Sequence, residues 1–537
     1  MFPLFSPIDR IELALAIAIV VFALTWRRWL QGPLAAFAGK TVWCMIALAI
    51  LPVGLRLLLL ANHPIPTPNV ADDFSYVLLA DTLRHFRFAN PPHALPQFFE
   101  TLFVIQQPSY SSMFPLGQGM VLALGWILFG NPWAGVALSI GALCALTYWM
   151  LRAWTTPSWA LVGGALAVME FGPLNQWMNS FWGGAVSACA GCLVFGSLPR
   201  LNGRRYAVLL GIGLGVQLLT RPFEFVLLLI GVAAYFVLYG LPLRKAGIAG
   251  LALLPAIGLM LLQNRAVTGS WTTLPYMLSQ YQYGIPSSFT FQPNPVPHLA
   301  LTAEQQLAYQ VQCSIHDDRV GYFGRLASRI RFYRFFFLPP LYLALPAFFF
   351  RLRERRFVWV FATVLLFSLG TNFYPYFFTH YIAAITCLFV LMSVAGLERI
   401  SRRFQGIAEL ILFLCLAYFL FWYGLHFFTG QQWARAAIDY ESWDAINYGD
   451  SNGRLAVNRD FLGRPGKHLV FVRYSARQGF DAWVYNGADV DASRVVWAWD
   501  LGDAEDAELR KYYPDRTAWL FQADYRPPRL TSLDRLY

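Results

Sequence analysis

Two adjacent carboxylates, Asp72 and Asp73, open the segment ADDFSYVLLADTLRHFRF directly after a long apolar stretch. Phe74, Val77, Leu78 and Leu83 follow at helical spacing, interrupted by Asp81, Arg84 and His85. An acidic pair there can do two compatible things. It can cap a helix and complement its positive end. Because neighbouring carboxylates raise one another's pKa, it can also supply a base at the membrane surface for proton abstraction. Arg221 stands in LLTRPFEF at a turn between apolar stretches, followed by Pro222 and Glu224. A guanidinium in that position either snorkels from a helix end or holds a phosphate through its planar fork. His380 and Tyr381 lie in NFYPYFFTHYIAA, where a hydrogen-bonded structural histidine competes with an anion-binding one. The turn LNQWMNSFWGG carries Asn175, Asn179 and Trp182, which suit a sugar and are equally ordinary at an interface. His316, Asp317 and Asp318 have metal-ligating atoms but no metal-site spacing, and read as a solvated loop.

The elements that must position these residues are membrane helices. The chain is 57% hydrophobic and 13% charged, against about 25% charged in soluble domains. Its charges are confined to short runs between apolar stretches, many of which reach the roughly 17–25 residues that span a bilayer. Aromatic residues gather at the segment ends, where interfacial rings prefer to sit. The net charge of +11 flanks helices rather than forming one patch, which argues against nucleic acid. Cys44, Cys144, Cys189, Cys192, Cys387 and Cys415 occur singly in apolar segments and Cys313 in a polar loop, so neither a disulfide framework nor a zinc site is indicated. The first apolar stretch is long and followed by Arg27 and Arg28, which reads as a retained anchor rather than a cleaved signal.

Spans are expected near 11–29, 41–60, 133–151, 158–173, 182–198, 206–220, 223–240, 246–262, 332–350, 357–373, 380–396 and 407–425. Placing Arg27, Arg28 and Lys40 inside puts Arg152, Arg200, Arg204, Arg205, Arg244, Lys245, Arg351, Arg353, Arg355, Arg356, Arg399, Arg402 and Arg403 inside as well. Only Glu354 and Glu398 stand against them. The count closes if residues 114–129 lie in the interface instead of crossing it. Outside then fall the loop 61–132, the loop 263–331 with its Pro-rich run FQPNPVPHLA, and the tail 427–537. In that tail HLVFVRY, SRVVWAWDL and TAWLFQAD read as strands and DAEDAELRKYY as a helix, so a small soluble α/β domain is expected. The fold class expected is thus an all-α polytopic membrane unit of about a dozen helices, 1–426, followed by an outer α/β domain, 427–537.

No P-loop, dinucleotide-binding glycine motif, HExxH helix or GxSxG elbow occurs. The first outer loop instead resembles that of polytopic glycosyltransferases using lipid-phosphate sugar donors. These form the GT-C superfamily, which includes dolichyl-phosphate-mannose protein mannosyltransferases and lipid A aminoarabinose transferases. The series that carries the likeness is Asp72-Asp73-Phe74-Ser75-Tyr76, Gln107-Pro108-Ser109-Tyr110, Pro115-Leu116-Gly117 and Leu128-Phe129-Gly130-Asn131. It runs through roughly residues 60–240 and returns at 376–396. There His380-Tyr381 stands where relatives have Arg-Tyr, and Ala384 where they have proline. Asn175 and Asn179 stand where relatives often have aspartate.

The resemblance implies an inverting transfer of a sugar from a polyprenyl-phosphate donor to an acceptor hydroxyl on a glycan, lipid or protein. It implies Asp72 and Asp73 as catalytic, and Arg221, His380 and Tyr381 as donor-phosphate ligands. Tyr76, Glu100, Tyr110, Asn175, Asn179 and Trp182 would bind substrate. A divalent cation, Mg or Mn, is the cofactor it allows, and the inner membrane with an outward, periplasmic site is the location it implies. Three other readings stay open, one of them a non-catalytic relative in which the acidic pair only caps a helix. A ligase or polymerase of diphosphate-linked glycans would use basic residues such as Arg319, Arg325, Arg329 and Arg331 in a late outer loop. A transporter of lipid-linked sugars would need charges along a mid-membrane path, and Arg56, Glu170 and Glu409 lie toward span ends.

Overall fold

The computed structural model describes residues 7–318, 320–428, 453–475, 482–525 and 528–533. In chain order the helices begin with α1 (Pro7–Ala38), α2 (Thr41–Leu58), α3 (Ala71–Arg84), α4 (Leu116–Phe129) and α5 (Trp133–Leu151). Then come α6 (Pro157–Phe171), α7 (Ala185–Ser197), α8 (Arg204–Thr220), α9 (Pro222–Tyr239) and α10 (Leu243–Thr268). The second outer loop forms α11 (Pro275–Tyr283), α12 (Ala303–His316) and α13 (Gly321–Arg329), and the bundle closes with α14 (Leu345–Phe349), α15 (Arg355–Thr371), α16 (Thr386–Ser401) and α17 (Gln405–Phe428). Among the described residues six helical stretches are long and apolar enough to cross a membrane: 41–58, 133–151, 222–239, 243–268, 379–401 and 405–428. The apolar stretches 13–22, 116–129, 157–171 and 185–200 are shorter. Val42, Trp43, Ile46 and Ile50 on α2, and Val237, Leu251 and Leu254 on α9 and α10, are exposed in a way that only lipid would accept.

Six of the twelve expected spans meet that measure among the described residues, and one of the others takes a different form. Residues 332–350 are not a continuous α-helix but 3₁₀ turns at Ile330–Phe336 and Pro339–Leu343 leading into the five-residue α14. Pro339, Pro340 and Pro346 interrupt the i→i−4 ladder. Phe335, Phe336, Leu338, Leu341 and Phe348 are buried, so this irregular backbone is shielded by protein.

The segment expected to lie flat is α4, whose 14 residues make roughly 21 Å at 1.5 Å per residue. That is short of a hydrocarbon core of about 30 Å, as are the expected spans at α6 and α7. Its glycines serve packing. A Cβ on Gly125 would stand 2.1 Å from the Gly135 nitrogen of α5, and one on Gly117 would stand 2.2 Å from Thr220 Oγ1 of α8. The other face leaves Met120, Leu124, Ile127, Leu128 and Phe129 exposed.

The basic loops meet at one end of the bundle. Arg152 donates to Thr41 Oγ1 at 2.8 Å, Arg356 to the Trp154 carbonyl at 3.2 Å and Lys245 to the Asn202 carbonyl at 2.9 Å. Arg351 pairs with Glu354 at 2.7 Å. At the opposite end the loops expected outside are tied down. Fully buried Arg56 donates to Asn179 Oδ1 at 2.8 Å and to the carbonyls of His63 and Pro64 at 2.9 Å each. Arg329 donates to the carbonyls of Thr371 and Tyr374 at 3.0 and 2.6 Å.

In the outer loop Val104–Ile105 (β1) and Ser111–Ser112 (β2) pair antiparallel. Beyond the bundle lie α18 (Arg454–Gly463), β3 (Lys467–Arg473), β4 (Val495–Trp499), α19 (Asp503–Tyr512), β5 (Arg516–Gln522) and β6 (Arg529–Ser532). The sheet order is β4-β3-β5-β6, with β3 parallel to both neighbours and β6 antiparallel. The three strands and the helix expected in the tail are present, and β6 is additional. One face of this sheet shares a core with the first outer loop: Leu469, Phe471, Val496 and Ala498 pack with Leu78, Phe98, Phe99, Val104 and Tyr110.

Candidate active site

Where α3 begins, Val70 is the residue that caps it, in extended conformation and without a side-chain bond. Asp72 and Asp73 therefore sit inside the first turn, where carboxylates complement the helix dipole. Their environments differ. Asp73 is buried; its Oδ1 accepts the Phe181 amide at 2.8 Å and its Oδ2 the Asn69 amide at 3.2 Å. Burial raises its pKa to about 6 against the pull of those amides. Asp72 is partly buried and faces a cavity of about 650 Å³. Burial and the adjacent Asp73 charge push its carboxyl up to about 7, opposed by its own helix-start amide and by Arg221.

Three further elements complete the cavity wall. Arg221 is an extended residue (φ −150°, ψ 91°) between α8 and α9, and Pro222 starts α9 without needing a donor. The guanidinium lies over the Tyr381 ring at 4.8 Å and reaches Glu224 at 3.4 Å. The 3₁₀ turn Thr379–Ile385 supplies His380 and Tyr381, and the His380 ring meets Trp182 edge-on at 5.0 Å. Trp182 comes from the loop before α7. That loop is pinned by the Asp73–Phe181 bond, by Gln118 donating to the Phe181 carbonyl at 2.9 Å and by Gly183 at φ +77°. Tyr76, one helical turn after Asp72, stacks on Phe114 at 4.2 Å.

Of the residues expected at the site, Asp72, Tyr76, Trp182, Arg221, His380 and Tyr381 line this one cavity. The others lie elsewhere and are otherwise engaged. Asn179 joins Arg56 to the carbonyls of Pro173 and Asn175, and Asn175 closes its own turn on Glu170 and Trp177. Glu100 accepts from Gln305 at 3.3 Å, and the Tyr110 hydroxyl donates to the Asn486 carbonyl at 3.1 Å. Sequence reasoning missed Tyr276, Gln280, Tyr374 and Tyr376, which also line the cavity. Tyr374 and Tyr376 belong to the aromatic run just before His380, a legible signal; Tyr276 and Gln280 on α11 carry none.

The residues do not fit a protein-held divalent cation. Each Asp73 oxygen accepts an N–H and Glu224, also on the cavity wall, is paired with Arg221, which leaves Asp72 as the one described carboxylate lining the cavity without an ion pair. Among the described residues no group of three or more His, Cys, Asp or Glu side chains could hold a metal. What the arrangement can do is accept a proton at Asp72 and receive negative charge at Arg221, across a wall of aromatic rings.

Compared with known proteins, the chain matches no family model and no curated protein. Among solved structures it is similar to the apo state of ArnT from Cupriavidus metallidurans, with a TM-score of 0.49 and 12% identity over 91% of this chain and 93% of that one. ArnT from Cupriavidus metallidurans bound to undecaprenyl phosphate gives 0.48 and 13% over 90% and 92%. The Archaeoglobus fulgidus oligosaccharyltransferase in complex with zinc and sulfate gives 0.45 and 13% over 89% and 67%.

Proposed function

We propose that this chain is an inverting glycosyltransferase of the GT-C kind. In this reading it moves a sugar from a polyprenyl-phosphate carrier to an acceptor hydroxyl on the outer face of the inner membrane. The observation that carries the reading is the shared cavity, with a carboxyl poised near neutrality at Asp72 and a fixed cation at Arg221. Asp72 takes the proton of the acceptor hydroxyl as its oxygen bonds to the anomeric carbon. The bond from that carbon to the phosphate oxygen breaks on the opposite face, so configuration inverts. Polyprenyl phosphate leaves with the bonding pair, as an anion that needs no general acid. Arg221 stabilises the charge that develops on it, an effect typically worth about 2.7–4 kcal/mol.

Asp73 positions rather than reacts, because its two accepted amides fix the start of α3 against the loop carrying Trp182. Among the described residues Arg221 is the one guanidinium lining the cavity, and Arg329 is spent on backbone carbonyls. That favours a monophosphate donor over a diphosphate one. The test is release of undecaprenyl phosphate from a panel of undecaprenyl-phosphate sugars by purified protein in lipid, with an envelope extract as acceptor. Wild type should release it and Asp72→Asn, folded and expressed equally, should not. Equal turnover by the variant would sink the assignment.

A further inference from the structure

A second cleft, of about 280 Å³, opens on the far side of α3 from the proposed site, between that helix, α4 and the outer α/β unit. Phe74, Val77, Leu78 and Asp81 line it, and their i, i+3, i+4, i+7 spacing makes one helical stripe. Asp72 and Tyr76 occupy the opposite stripe, against the large cavity. The two hollows share a rim: Thr67 and Pro68 line one and Val70 the other, within four residues of chain.

The walls of this cleft are rigid. Asp81, 6% exposed, accepts Arg84 at 2.5 Å and the Ala488 amide at 2.7 Å. Arg84 in turn lies over the Trp126 ring at 4.1 Å. Arg454 donates to the carbonyls of Ala482, Trp483 and Tyr485 and lies over Phe74 at 4.4 Å. Three other polar groups on the wall are unspent. Among the described residues the Asn458 amide, the Thr67 hydroxyl and the Trp126 indole N–H bond to nothing in the protein. A junction between units, with flat aromatic surface and a few unpaired donors and acceptors, is the usual form of a small-ligand site. Several hydroxyls beside ring faces is the chemistry of a carbohydrate.

We infer that this cleft is the acceptor subsite and takes a polyhydroxylated chain, a glycan, whose terminal hydroxyl passes over residues 67–70 to Asp72. The inference rests on the glycosyltransferase reading for its acceptor role, though not for the binding itself. Two arms test it. In the first, acceptor and donor KM are measured for wild type, Asn458→Ala and the filling variant Thr67→Trp, each checked for an unchanged melting temperature. Acceptor KM should rise about tenfold on loss of the amide's hydrogen bonds, and further in Thr67→Trp, while donor KM stays level. An acceptor KM that stays level in both folded variants overturns the proposal.

In the second arm, saturation-transfer NMR follows chitotriose and maltotriose with wild type, Asp72→Asn and Thr67→Trp. Transfer from one of these glycans to wild type and Asp72→Asn, lost in Thr67→Trp, supports the cleft. No transfer from either, or equal transfer to Thr67→Trp, overturns it. If wild type releases no undecaprenyl phosphate, the glycosyltransferase reading fails and the NMR arm alone decides the cleft.

Discussion

At the scale of single residues, the two neighbouring aspartates do different work because their oxygens meet different partners. Asp72, raised to about 7 by burial and by Asp73, must be ionised to act as the base of the proposed transfer. Turnover should therefore rise through a limb near pH 7 that Asp73→Asn moves to lower pH, read from undecaprenyl phosphate release between pH 5 and 9. The same shift sets a stability cost with a definite sign. A carboxyl whose pKa is higher folded than unfolded destabilises the fold once pH passes its unfolded value, and the cost grows until the folded value is reached. Asp72→Asn removes that cost, so its melting temperature should exceed wild type at pH 8 and converge with it near pH 4. A variant less stable at pH 8 would contradict this placement of Asp72. The acidic pair, Arg221 and His380-Tyr381 were legible because each stands at the edge of an apolar run with little else to do. Asn175 and Asn179 misled for a physical reason: the partner of Asn179 is Arg56, 123 residues earlier, and no local pattern announces such a bond.

At the scale of elements, short helices do the positioning. The glycines of α4 let it press onto α5 and α8, so it forms a shelf against α3. Gly125→Ala should overpack that contact, costing about 1–3 kcal/mol. Gly247→Ala on α10, where a Cβ meets nothing within 4 Å, should cost nothing, and thermal unfolding of the two variants in one detergent makes the comparison. The interfacial reading of residues 114–129 came from charge alternation across the later loops, and what the structure adds is the 14-residue length of α4. The break at 332–350 was missed because hydropathy averages over a window and is blind to Pro339, Pro340 and Pro346. In the outer tail, short runs of apolar residues marked three strands, whereas β6 is four residues long with alternating exposure, too short to show a run.

At the scale of the whole molecule, the outer α/β unit is a structural half of the first outer loop. Phe471 and Val496 share a core with Leu78, Phe98 and Tyr110. The Trp499 indole N–H donates to the Glu100 carbonyl at 2.6 Å, and the Tyr485 hydroxyl to the Leu102 carbonyl at 3.1 Å. Phe471→Asp should thus loosen α3 as well as the sheet: amide protection in residues 73–84 should fall at least about tenfold by hydrogen exchange, and activity should fall with it. Protection left intact there would show that the bundle alone holds α3. This joint has a further consequence, for the moment of synthesis. Asp81 waits for Ala488, 407 residues downstream, which at 5–20 residues per second is roughly 20–80 s of translation. A growing chain thus carries α3 without its Asp81–Ala488 bond until residue 488 has been made, so that end of the helix is the last part of it to be braced.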